Sequence, residues 1–149
     1  MPNMLELLQK VASGELPGPP VAQLIGFTLR EVDTGRAVVD FEADARHASP
    51  LGMLHGGVLC DVADAAMGIA YASALGEGEA FTTLELKINF LKPVWSGKLV
   101  ATGRVVKGGR TGGLVECDIV DASERLVARA SSTCMTLRGA DAAGRGAAP

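Results

Sequence analysis

Aromatic side chains are scarce in this chain, with one Trp, one Tyr and four Phe among 149 residues. So few rings cannot build a base-stacking surface, and the net charge of −3 offers no general attraction to nucleic acid. Only three cysteines are present, Cys60, Cys117 and Cys134, far apart and without a C-x-x-C pair. That pattern argues against a disulfide framework and against a zinc site, and it fits a reducing compartment. No apolar run reaches the roughly 20 residues needed to span a bilayer. The first ten residues lack the basic-then-apolar order of a secretory leader. The expectation is therefore a cytoplasmic protein with no membrane or nucleic-acid partner.

What is present is a chain rich enough in apolar residues, 48%, to fold as one domain. Residues 1–20 read as a short helix, with Leu5, Leu8 and Val11 or Ala12 on one stripe, and then a linker broken by Pro17, Pro19 and Pro20. Residues 139–149 are almost all Gly, Ala, Asp and Arg and read as a flexible tail. Both ends are expected to be peripheral to a working domain over 21–138.

Inside that domain the hydrophobic period changes twice. Ala37, Val39, Phe41 and Ala43 alternate with Val38, Asp40, Glu42 and Asp44, which predicts a strand with one buried face. From 57 to 75 the alternation gives way to a long, proline-free apolar stretch, which predicts a helix buried on most sides and stopped by Gly76 and Gly78. Four more alternating runs follow: Thr83–Phe90, Lys98–Val106, Leu114–Val120 and Leu126–Leu137. In the first of these, Leu84, Leu86, Ile88 and Phe90 are expected on one face. Short turns at Ser96-Gly97, Gly108-Gly109 and 121–124 predict an antiparallel meander. One long helix with five to six antiparallel strands is an α+β arrangement in which a curled sheet can wrap the helix.

Chemistry concentrates at the start of that helix. His55-Gly56-Gly57 leads into it. A helix N-terminus has unpaired N–H donors and a partial positive charge, suited to a carbonyl oxygen that becomes an oxyanion. The same glycines would equally serve a tight turn needing positive φ. Asp64 stands mid-helix among Ala63, Ala65, Ala66 and Met67, where an unpaired carboxylate is costly. It either lines a polar seam or does chemistry. Asp61, one turn earlier, reads as an acid complementing the helix dipole. The segment Lys107-Gly-Gly-Arg110-Thr111-Gly-Gly is a strand-to-strand turn, whose Arg110 is either solvated or aimed at a phosphate.

These positions resemble the hotdog-fold thioesterases of the phenylacetate-degradation, PaaI-like branch, close to the Arthrobacter-type 4-hydroxybenzoyl-CoA thioesterases. That branch has His-Gly-Gly at the helix start and an acid nine residues after the His, matched here by His55-Gly56-Gly57 and Asp64. It also has a Thr or Ser ten residues before a proline and an Asn-Phe-Leu-x-Pro run, matched by Thr83 and by Asn89 to Pro93. One departure is Ser49, six residues before the His, where the branch commonly carries Asn or Gln.

The resemblance implies hydrolysis of acyl-CoA thioesters without metal or cofactor. Asp64 would be nucleophile or general base, and the Gly56 N–H would polarise the carbonyl. Thr83 would bond the carboxylate or the water, with His55 and Ser49 in support. Gly57, Asn89, Arg110 and Thr111 are the implied substrate-binding residues. It also implies a homodimer, commonly a dimer of dimers. Spacing leads independently to two chains: Gly56 and Asp64 are eight residues apart, about 12 Å along a helix. They cannot both touch one carbonyl unless the chain bends sharply, and the simple solution is that they come from different subunits. A hotdog hydratase or dehydratase is the competing enzyme class, disfavoured because the helix has no His or Glu. An acyl-CoA-binding protein with a structural Asp64 is the non-enzymatic alternative. The acyl pocket is expected beside Met53, Leu54, Tyr71 and Phe81.

Overall fold

The computed structural model describes residues 3–145. Helix α1, Met4–Ala12, opens with a capping box in which the Asn3 side chain accepts from the Glu6 N–H and Glu6 bonds back to the Asn3 N–H. Pro20 does not only break the chain. It occupies the first turn of a second helix, α2, Pro20–Ile25, which the sequence reading missed. Proline suits that position because a first-turn N–H has no helical partner. Strands β1, Phe27–Asp33, and β2, Arg36–Ala43, then form a hairpin. Helix α3, Gly56–Ala72, follows, and after it β3, Ala80–Phe90, β4, Gly97–Gly108, β5, Gly112–Asp121, and β6, Leu126–Leu137.

The six strands make one antiparallel sheet in the order β1-β2-β4-β5-β6-β3. The meander expectation holds for β4, β5 and β6 but fails for β3. That strand pairs with β6, not with β4, and β4 pairs with β2. The residues after β3 cannot form a tight hairpin: Pro93 interrupts them and the Leu91 and Lys92 N–H groups donate to Val127. The chain instead crosses over, leaving β3 as an edge strand. A bulge between Thr83 and Glu85 also breaks the strict alternation, and Leu84 and Phe90 are exposed.

The sheet curls around α3. Small residues let the helix sit close: Ala63, Ala66 and Ala70 are fully buried beside Met67 and Val62. At Gly103 on β4 the approach is closest, for a Cβ there would lie 2.4 Å from the Ala66 carbonyl oxygen. Helix α3 ends sooner than the glycines predict. Ser73 caps it, with its Oγ accepting from the Gly35 N–H at 2.8 Å and lying 2.7 Å from the Ala70 carbonyl. The helix is also less buried than its composition implies. Gly57, Asp61 and Asp64 are exposed along one open face, with Ala65 and Gly68 only partly covered.

The N-terminal segment is not peripheral, because Leu5, Leu8, Ala12 and Ile25 pack on the core. Of the expected tail, Gly139–Ala142 forms a 3-10 turn with no buried residue, and 146–149 lie outside the described residues.

Candidate active site

The start of α3 is held by backbone and imidazole contacts. The Leu54 N–H donates to Val94 O at 2.7 Å, and the His55 N–H donates to His47 O at 2.9 Å. His47 is itself buried. Its Nδ1 accepts from the Asp44 N–H at 3.1 Å, which assigns the ring proton to Nε2, 2.8 Å from the Ile25 carbonyl. His55 is the N-cap of α3, and its Nδ1 accepts from the Gly57 N–H at 3.0 Å. The Gly57 N–H is therefore committed to His55 and is not available to a ligand.

The Gly56 N–H, at the first helical position, takes part in no hydrogen bond among the described residues. Neither glycine has positive φ, so the tight-turn explanation does not apply. Gly56 answers a steric demand instead: a Cβ there would meet the Phe90 ring at 2.9 to 3.3 Å.

Two turns on, Asp64 opens into a cavity of about 580 Å³. Among the described residues it has no hydrogen-bond or ion-pair partner. Its side chain is reachable by solvent in a single chain. The apolar walls nevertheless desolvate it, and this, with the nearby Asp61 charge second, holds its carboxyl above the ordinary value of 3.8. Asp61 lines the same cavity. It stands too far along to be the expected complement of the helix dipole, since α3 begins at Gly56 and carries no acid in its first turn. Thr83 and Phe81 of β3 also face the cavity. The Thr83 hydroxyl lies 3.7 Å from the Cys134 Sγ, its partner across the β3–β6 ladder.

Other expected residues lie apart. Ser49 shapes the loop before α3, its Oγ accepting from the Leu51 N–H at 3.3 Å. Asn89 is exposed on β3 and accepts from Lys87 Nζ at 2.7 Å. Arg110 and Thr111 form the exposed tip of the β4–β5 hairpin, closed by Gly109 N–H to Gly112 O at 2.8 Å. Arg110 has no ion-pair partner among the described residues.

One chain thus gathers Asp64 and Thr83, while Gly56, His55, Ser49, Asn89, Arg110 and Thr111 do not line the cavity. Of the expected pocket residues only Phe81 does. Leu54 and Tyr71 are buried in the core, with the Tyr71 hydroxyl 2.6 Å from Thr136 Oγ1, and Met53 lies outside the lining. The residues the sequence reading missed are Asp61 and an apolar wall from the N-terminal segment that includes Leu8, Val11 and Ala22. The amphipathic stripe of α1 was the signal for that wall, but nothing in it says what the stripe faces.

A curled antiparallel sheet wrapped on one helix, with a carboxylate on that helix facing an apolar cavity, defines a hotdog thioesterase fold. Residues 51–128 match the Thioesterase superfamily model, and the chain belongs to that family of hydrolases. It is 31% identical over 105 residues to the 1,4-dihydroxy-2-naphthoyl-CoA hydrolase of Listeria monocytogenes, across 70% of this chain and 85% of that one. The PaaI protein from the phenylacetic acid degradation operon of E. coli superposes with a TM-score of 0.80 at 26% identity, covering 92% of this chain and 98% of that one. A phenylacetic acid degradation-related protein of Ralstonia eutropha JMP134 gives 0.78 at 31% identity, covering 86% and 98%. No helix among the described residues is long and apolar enough to cross a membrane.

Proposed function

We propose that this chain hydrolyses acyl-CoA thioesters to a free acid and CoA, as a homodimer that assembles further as a dimer of dimers, in the cytoplasm. The observation that carries the reading is Asp64: a carboxylate without a partner among the described residues, on a mostly apolar helix, opening into a cavity of acyl size. A group held at that cost of desolvation is suited to act on something that enters the cavity. The Listeria relative, whose name is that of a CoA-thioester hydrolase, supports the CoA ester as substrate class.

In the mechanism, ionised Asp64 either takes a proton from water, which attacks the thioester carbon, or attacks that carbon itself. The carbonyl oxygen gains negative charge and accepts from the unpartnered Gly56 N–H at the positive end of α3. Collapse of the tetrahedral adduct breaks the C–S bond, and the leaving thiolate takes up a proton. On the direct route, water then hydrolyses the acyl-aspartate. Thr83 lines the same cavity as Asp64 and orients the carboxylate or the water. His55 and Ser49 keep the loop in shape and leave the Gly56 N–H unbonded. Asn89, Arg110 and Thr111 serve the CoA half, Arg110 as a phosphate partner.

Gly56 and Asp64 lie on one unbroken helix, about 12 Å apart. One site therefore takes Gly56 from one chain and Asp64 from the other. The open face of α3 and the exposed β3 edge, carrying Leu84 and Phe90, are the surfaces a second copy would cover.

Free thiol release from CoA esters, followed with a thiol-reactive dye, tests the reading. Release at catalytic turnover is expected. Recovery of intact ester bound to the protein, with no thiol formed, would leave only the acyl-CoA-binding alternative.

A further inference from the structure

The cavity has two walls of different origin. The α3 and β3 side, with Asp64, Gly68, Phe81 and Thr83, lies within the segment matched by the family model. Leu8, Val11 and Ala22, on the other side, precede that segment. Helix α1 is well formed in its own right, with its capping box, an acid in the first turn and Lys10 in the last. Yet none of its residues is buried, and Leu5 and Leu8, though packed against the core, are only partly covered. An amphipathic helix whose apolar stripe stays half-open is an unfinished contact. What Leu8 and Val11 face is the cavity.

Across it, Gly68 stands one turn beyond Asp64 in the interior of α3. Glycine is unfavourable there relative to alanine. Packing does not demand it, for a Cβ would meet only the Phe81 ring, at 3.4 and 3.7 Å, an ordinary contact at the edge of tightness. This differs from Gly103, where a Cβ would strike backbone. The absent side chain at 68 leaves space beside the reactive carboxylate. The cavity also has a definite charge preference. Asp61 and Asp64 line it, and no Lys, Arg or His does among the described residues. An acyl group ending in a carboxylate would be repelled and unpaired there.

We infer that this cavity selects the acyl group, admitting a neutral apolar chain much larger than acetyl, and that Gly68 on one wall with Leu8 and Val11 on the other sets its size limit. The inference rests on the hydrolase reading for its catalytic readout only. Each methylene moved from water into the cavity is worth about fourfold in kcat/KM. Burying even three gives about sixtyfold for octanoyl-CoA over acetyl-CoA, with succinyl-CoA poorer than either.

The test compares these three esters, and in parallel the Kd of the non-hydrolysable thioether octyl-CoA, for wild type, Gly68→Leu and Val11→Trp. Both variants should lower the octanoyl-to-acetyl ratio at least about tenfold and weaken octyl-CoA binding by a similar factor. Val11→Trp protects the test if Gly68→Leu fails to fold, since α1 has no buried residue to disturb. A wild type that prefers acetyl or succinyl, or ratios and Kd values unmoved in folded variants, overturns the inference. If no ester is cleaved, the hydrolase reading fails, and the octyl-CoA affinities alone decide. Tight binding by wild type weakened in the variants supports the acyl cavity, and absence of binding refutes it.

Discussion

Two inactive chains should restore each other's activity if a site is shared between subunits. Asp64→Asn removes the acid. Gly56→Pro removes the oxyanion donor and suits the helix, because position 56 is the first of α3 and its N–H has no helical partner. The ring would press on Phe90, which lies within 2.9 Å of where a Cβ would sit, but Phe90 is half-exposed and its ring can swing away. Gly56→Ala makes the same push on Phe90 and keeps the N–H, so the difference between Pro and Ala isolates the donor. Loss of one such donor costs about a hundred- to a thousandfold in kcat. Eight residues on a straight helix put Gly56 about 12 Å from Asp64 of its own chain, beyond reach of one carbonyl. A heterodimer of Asp64→Asn and Gly56→Pro then has one site with both lesions and one with neither. Purified by two different tags, it should turn over at about half the wild-type rate. An unsorted equal mixture should show about a quarter, since about half of its dimers are mixed. The assay is thiol release by each parent and by the heterodimer, after each is shown to be folded and dimeric. A folded heterodimer as inactive as its parents would place both groups in one chain and refute the geometry.

Three other outcomes follow from particular contacts. Because burial and Asp61 raise the Asp64 pKa, the carboxylate is still protonated at pH values where an ordinary one has ionised, so kcat/KM should rise with pH through a limb above 3.8. Asp61→Asn removes one of the two causes and should move that limb to lower pH, as a pH–rate profile would show. Arg110→Ala should raise KM for CoA esters more than it lowers kcat, and the effect should shrink for pantetheine esters, as steady-state kinetics on both substrates would show. Gly103→Ala forces β4 away from the Ala66 carbonyl and should destabilise the fold by about 1–3 kcal/mol, read as a lower Tm.

Local chemistry made the central helix and most strand boundaries readable. The run from 57 to 75 became Gly56–Ala72, and the strand predicted at 37–43 became Arg36–Ala43. Placement was less legible. Nothing local to β3 says that it leaves the meander to pair with β6, because that depends on how the sheet closes around the helix. The prolines of the linker read as an ending, although Pro20 starts a helix and the residues around it wall the cavity. At the site, His-Gly-Gly and the acid nine residues later were visible as a pattern, but the roles of the two N–H groups were not. Only the geometry shows that His55 takes the Gly57 N–H and leaves that of Gly56 unbonded. Asp61 looked like a dipole partner because the cavity it lines could not be seen.

The most direct test of the account is kcat for thioester hydrolysis by Asp64→Asn, a nearly isosteric change that removes the carboxylate from the cavity wall, measured beside wild type on a CoA ester with CD spectra to show that both are folded. The account predicts a fall of at least about a hundredfold, far more than the matched change Asp61→Asn produces. A folded Asp64→Asn protein within a few-fold of wild type would contradict it.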